Sequence, residues 1–295
     1  MQLEKREFYI QQVFSFLKAI SQYTGAVANE SYYQAALEEW RQKPSFRNKM
    51  FYVLLNLKTQ KVTWSKYAFQ TVGFQDVDFE KGIRPPNGIT LRDCLTMIKP
   101  NYLPMNVAFA KSPYQIAAKY PSVRQVLATL NPELILQFPI QLRDGKYYWT
   151  TQTGIPFELD KNNNIISNIN IYHIETEYYD QRIPKPMVTV KGGRERNEKV
   201  EAFLQQQLSE NFFRELLDFK PIVVKLVQAY NQHQNLTIEQ AAIHLNTSKE
   251  NIKTYNKTIK RAINQYFSED INPFPTARAA ALYLGRLLGD YLVLK

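Results

Sequence analysis

The chain of 295 residues contains one cysteine, Cys94, so no internal disulfide can form and a reducing compartment is expected. Histidine is nearly as scarce. His173, His233 and His244 offer no spacing that, with Cys94, suits a zinc site. The 10 glycines form no Walker loop, no dinucleotide-binding pattern and no serine elbow. With no nucleophile beside a base, no metal cage and no paired carboxylates, neither catalysis nor a cofactor is expected. No apolar run reaches the length of a membrane-spanning helix. The first turns, MQLEKREFYIQQVFSF, carry charges throughout and lack the apolar core of a secretion signal. A cytoplasmic protein with no membrane partner is the expectation.

What is present points to packed domains. Hydrophobic residues make up 44% and aromatics 13%, and the length suits two cores. A formal net charge of +10 favours a polyanionic partner. The excess is spread along the chain: residues 191–295 hold fifteen Lys and Arg against eleven Asp and Glu. Local density matters more for recognition, and residues 249–261 set five basic groups against one acid.

Periodicity divides the chain into four parts. Residues 1–47 read as helices, one over 3–22 and one over 30–42. Leu3, Phe8, Ile10, Phe14, Leu17 and Ile20 form the apolar stripe of the first. From 48 to 182 the pattern is a hairpin (51–55 and 62–64), a Pro-punctuated helical stretch over 91–130, then strands over 134–142, 146–158 and 165–175. The Asp144-Gly145 and Asn162-Asn163-Asn164 corners are hairpin signals. Together these predict a five-stranded antiparallel sheet with helices on one face, an α+β domain. Alternation sets Tyr147, Trp149 and Thr151 on one face and Tyr148, Thr150 and Gln152 on the other. Either face can wall a pocket, or serve core and dimer packing. His173, in phase with Ile169 and Ile171, is expected half-buried, His233 solvated, and Cys94 a small buried hydrophobe. Residues 183–197, with Pro184, Pro186, Gly192 and Gly193, read as a linker. Residues 198–295 read as an all-α domain. Its first helix gathers Val200, Phe203, Leu204 and Leu208 on one side, for a dimer contact or for packing within the domain.

The sharpest pattern is LTIEQAAIHLNTSKENIKTYNKTIKRAINQYF, from Leu236. It reads as two helices around a tight turn. Thr237 with Gln240, and Thr247 with Glu250, have capping-box spacing, and Asn246 can take the left-handed conformation that ends a helix. Ile238, Ala241, Ala242 and Leu245 form one apolar face; Ile252, Tyr255, Ile259, Ala262, Ile263 and Tyr266 form the other. At about 100° per residue, Lys249, Lys253, Asn256, Lys257, Lys260 and Arg261 fill the arc beside the second face. A helix–turn–helix offering Lys, Asn and Arg suits a DNA major groove, although a solvated lysine face has the same look.

Two resemblances follow. The run Asn246 to Tyr255, continuing through Ile259 to Ala262, resembles the corner and recognition helix of LuxR-type transcription regulators. Lys253 stands at that family's DNA-contacting lysine, Tyr255 at its His, and Ile252 and Ile259 at its core positions. Residues 276–288 resemble its Ala-rich fourth helix. Lys220-Pro221-Ile222-Val223-Val224-Lys225 departs from the family's first-helix opening, and Thr258 replaces its Asn. Residues 48–178 resemble a PAS domain in element order, with Gly73-Phe74, Lys99-Pro100-Asn101-Tyr102-Leu103 and Ile174-Glu175-Thr176 at characteristic places. The resemblances imply an N-terminal PAS-like α+β domain and a C-terminal all-α helix-turn-helix domain. They imply a homodimeric regulator of double-stranded DNA, controlled by a small-molecule or protein signal. Lys249, Lys253, Asn256 and Lys257 are then expected deep in the groove, with Lys260 and Arg261 on phosphate. The alternative is a protein-interaction regulator whose helix-turn-helix no longer binds DNA.

Overall fold

The computed structural model of the chain describes residues 2–21, 35, 39, 50–60, 62–64, 90–179, 187–192, 195–233, 235–267 and 274–288. Almost all of the helix expected at 30–42, and Gly73-Phe74, lie outside them. In chain order come α1 (Gln2–Ser21), β1 (Met50–Asn56), β2 (Val62–Trp64), α2 (Leu91–Met97) and a 3-10 turn (Pro100–Tyr102). Next come α3 (Leu103–Lys119), α4 (Pro121–Thr129), β3 (Asn131–Gln141), β4 (Tyr147–Leu159), β5 (Ile165–Glu177), β6 (Met187–Gly192) and β7 (Glu195–Arg196). Helices α5 (Glu198–Asn211), α6 (Pro221–Gln232), α7 (Ile238–His244), α8 (Lys249–Phe267) and α9 (Ala277–Leu288) follow, with a π-helical turn (Phe212–Leu216) after α5. The fold is a mixture of helices and antiparallel sheet, with a block of helices after the sheet. Among the described residues, no helix is long and apolar enough to cross a membrane.

Local chemistry sets the boundaries. Thr90 and Asp93 close a capping box at the start of α2. Pro121 opens α4 at a position where a missing N–H costs nothing. The β3–β4 turn uses Gly145 at φ 80°, and the β4–β5 turn uses Asn163 at φ 60°. There the Asp160 carboxylate accepts the Asn162 and Asn164 amides at 2.8 and 2.9 Å.

Among the described residues the strands run in the order β2-β1-β5-β4-β3-β6-β7, seven where five were expected. The added strands lie in the segment read as a linker. Met187 to Lys191 pairs with Ile135 to Asn131 along an edge of β3. The β-branched run Val188-Thr189-Val190 supplies strand propensity that the flanking Pro and Gly had masked. Helix α5 finishes this edge: Gln205 Oε1 accepts the Val188 amide at 2.9 Å and Glu201 Oε1 accepts the Val190 amide at 2.8 Å.

The inner face of the sheet carries the core. Phe51 stacks on Tyr172 at 4.6 Å, and Leu136, Phe138, Ile140 and Ile174 are buried beside them. Phe109 of α3 stacks on Phe212 at 4.9 Å, so the buried cluster continues into the C-terminal helices through Leu226, Ile252, Ile259, Ala280 and Leu284. Helix α8 also lies against the Pro100–Tyr102 turn. The expected face assignment fails at Trp149. A register shift between Tyr148 and Thr150 buries both Trp149 and Thr150, and the indole meets the Tyr102 ring at 5.5 Å. Thr151 instead bonds Glu175.

Further expectations resolve. His173 is exposed, not half-buried, whereas His233 is exposed and Cys94 buried as anticipated. Phe8, placed in the α1 stripe, is 58% exposed while Ile10 and Leu17 are buried. Leu204 and Leu208 are buried within the fold, and so are Ala280, Ala281 and Leu284 of the closing helix. Phe203 sits 5.4 Å from the Tyr120 ring. Packing within the chain therefore uses most of the α5 face considered for a dimer contact.

Candidate functional site

The corner between α7 and α8 is built by its own hydrogen bonds. Thr237 and Gln240 form the expected capping box. At the other end of α7, Asn246 takes φ 49°, its amide donates to Ile243 O at 3.1 Å, and the Thr247 amide donates to Ala242 O at 2.9 Å. This is a Schellman closure with Asn in the left-handed place. It occupies Thr247, so the second cap falls one residue later than expected. Ser248 Oγ accepts the Asn251 amide at 3.1 Å, and Asn251 Nδ2 donates to Thr247 Oγ1 at 2.9 Å. Glu250, expected in the capping box, pairs with Lys253 at 3.1 Å.

Three isoleucines of α8, Ile252, Ile259 and Ile263, are fully buried, which fixes the rotation of the helix. Lys249, Lys253, Lys257, Lys260 and Arg261 are all exposed. Four of them recur every fourth residue and so form one ridge along the helix. Lys249 meets Glu239 of α7 at 3.0 Å, with both side chains more than half exposed. The Lys249 hydrogen bond holds the Glu239 carboxyl below its ordinary range. Lys260 Nζ donates to Pro275 O at 3.0 Å. Asn256 differs from its expected setting: it is half-buried, and its Oδ1 accepts the Tyr230 hydroxyl at 2.9 Å. The structure thus gathers the five cations on one exposed side and turns the amide partly inward. Ser248, Asn251 and Tyr230 were missed as parts of this site. The first two are visible as cap-forming residue types; Tyr230 gives no sequence signal because its partner is on another helix.

A cavity of about 170 Å³ lies between the inner sheet face and the helices. Its walls are mainly aliphatic and aromatic, and α5 contributes Leu204 and Leu208. Of the six β4 residues considered as pocket walls, Gln152 lines it. Its polar groups cluster on α3 and the sheet. Gln152 Nε2 donates to Asn170 Oδ1 at 2.7 Å, and Asn168 Nδ2 donates to the same oxygen at 3.2 Å. Asn106 Nδ2 and Asn168 Oδ1 are buried with no hydrogen-bond partner. Burial pushes the Tyr114, Tyr172 and Cys94 protons to much higher pKa, so these groups stay neutral at ordinary pH.

No protein-family description matches this chain, and neither does any curated protein. Among solved structures, the phage VqmA–DPO complex aligns over 90% of this chain and 93% of its own, at 10% identity and a TM-score of 0.28. The Vibrio cholera VqmA–ligand–DNA complex aligns over 89% and 92%, at 13% identity and a TM-score of 0.24.

Proposed function

We propose that this chain is a DNA-binding transcription regulator, with a PAS-like sensory and dimerising sheet domain and a LuxR-type helix-turn-helix formed by α7 and α8. The observation that carries the reading is the exposed ridge of Lys249, Lys253, Lys257 and Arg261 on a helix begun by a closed corner. Like charges four residues apart destabilise a helix by about 0.2–0.5 kcal/mol per pair. A purely structural helix has no use for three such pairs, whereas a polyanion offsets them. The acids nearby do not block this: exposed ion pairs such as Lys249–Glu239 are worth at most about 1 kcal/mol, and phosphate displaces them. In the groove Lys249, Lys253 and Lys257 lie deepest, Asn256 presents its amide from the flank, and Lys260 and Arg261 hold phosphate.

Control is by equilibrium. A small molecule in the sheet cavity touches Leu204 and Leu208 of α5, the helix that leads to α6 and the corner. Binding that favours one placement of α5 shifts the placement of the DNA-binding helices, by no more than the difference in affinity between the two states. Two copies of the chain match a two-fold symmetric operator. The test is retardation of random duplex DNA by the full chain across a salt titration. Binding at low salt that weakens linearly in log salt is expected. An absence of binding at low salt overturns the reading and leaves the protein-interaction alternative.

A further inference from the structure

We infer that His233 and His244 form a two-imidazole site for a divalent transition metal at the joint of α6 and α7. The inference goes beyond the regulator reading and stands whether or not the chain binds DNA. The sequence holds three histidines, and the fold brings two of them together: the His233 and His244 rings lie 5.8 Å apart, centre to centre, with their planes at 75°. Both side chains are exposed. A metal about 2.0 Å from one nitrogen of each ring, at a tetrahedral angle, sets the ring centres about 5 Å apart. The rings therefore need to close by about 1 Å or less, which two exposed side chains achieve by small rotations about χ1 and χ2.

The backbone beneath the pair is already fixed. His233 caps the end of α6: its amide donates to Ala229 O at 2.9 Å, and its carbonyl accepts the Leu236 amide at 3.0 Å. Arg278 of α9 donates to Leu236 O. His244 ends α7, whose Ala241 and Ala242 are buried and whose last turn is locked by the Asn246 closure. Binding then orders two side chains and no backbone. Charge points the same way. The C-terminal end of a helix carries the negative end of its dipole, and two such ends meet at these rings. One helix end accounts for one imidazolium. It does not account for two rings in contact, because adjacent imidazolium charges repel. A single metal ion shared by two neutral rings satisfies both ends. Among the described residues no group of three His, Cys, Asp or Glu assembles, so water completes the coordination. Imidazole suits zinc, copper and nickel, whereas magnesium and calcium take oxygen ligands.

The test is titration calorimetry of the full chain, free of any histidine tag, with zinc chloride at neutral pH. One zinc per chain is expected, and no binding of magnesium chloride. His233→Ala and His244→Ala should each weaken zinc binding by about tenfold or more. His173→Ala, which removes the exposed histidine of the sheet, should leave it unchanged. Zinc should raise the melting temperature of the unaltered chain and of His173→Ala, but not of the other two. Zinc affinity retained in His233→Ala or His244→Ala overturns the inference, as does affinity lost in His173→Ala or absent from the unaltered chain. A second readout needs no variant to fold: electron spin-echo modulation of copper(II) bound to the unaltered chain should show two imidazoles, and one or none overturns the inference.

Discussion

The Tyr230 hydroxyl donates to Asn256 Oδ1 at 2.9 Å, while the Arg278 guanidinium lies 5.6 Å over the same phenol ring. Three helices, α6, α8 and α9, thereby meet at one side chain. The bond also decides which end of the Asn256 amide faces out: with Oδ1 engaged, its two N–H donors are the groups left for recognition. Tyr230→Phe should destabilise the chain by about 1 kcal/mol in urea denaturation. In the regulator reading it should also relax discrimination between DNA sequences while the salt dependence stays the same. Unchanged discrimination would show that Asn256 is structural only.

A methyl group at Gly285 has no room. A Cβ there would come 1.7 Å from Asn231 Oδ1, and that amide is held by bonds to Val227 O at 2.9 Å and Ala281 O at 2.8 Å. Helix propensity alone would favour Ala by roughly 1 kcal/mol. The clash reverses the sign, and Gly285→Ala should lower stability by about 1–3 kcal/mol. Adding Asn231→Ala should recover part of the loss, which a double-mutant cycle measures.

Asn246 holds φ 49° at the end of α7. Asn246→Gly should be neutral or slightly stabilising, and Asn246→Val should cost about 1–2 kcal/mol because a β-branched residue resists that conformation. Calorimetry of the two variants separates them.

Glu239 sets a carboxylate against the first lysine of the ridge. Glu239→Gln removes it, so DNA affinity at low salt should rise several-fold and the salt slope should steepen. Lys257→Ala should do the opposite, reducing the slope by about one unit. A Glu239→Gln variant that binds DNA more weakly would place that carboxylate in a supporting role.

Acid should act on the α1–α2 contact. Hydrogen bonds from Gln11 and Arg92 hold the Glu7 carboxyl below its ordinary range. A depressed carboxyl contributes stability above its unfolded value, about 4.3, and loses it as pH falls through the folded value. The difference in urea midpoint between the unaltered chain and Glu7→Gln should therefore be present at neutral pH and vanish in strong acid. A gap that persists there would assign the effect to packing.

Local signals carried much of this structure. The Asp144-Gly145 and Asn162 to Asn164 corners placed three strands, and Thr237 with Gln240 placed the start of α7. Where a residue's setting depends on a distant partner, the pattern was silent. Met187 to Lys191 became a strand because β3 offered an edge. Asn256 was turned by Tyr230, and Lys260 was drawn to Pro275. The cavity left one trace in sequence: Asn168 and Asn170 share a strand face with buried Tyr172, an unusual place for two amides.

Helix α5 completes the hydrogen bonding of β6 with Gln205 and Glu201. A strand edge satisfied in this way offers no free amide at Val188 or Val190 to a passing chain, so it is closed to the edge pairing that leads to aggregation. The same bonds gear the helix to the sheet. Helix α5 cannot slide along β6 without stranding two backbone amides, so a change in sheet curvature is passed to it as rigid displacement rather than absorbed as slack.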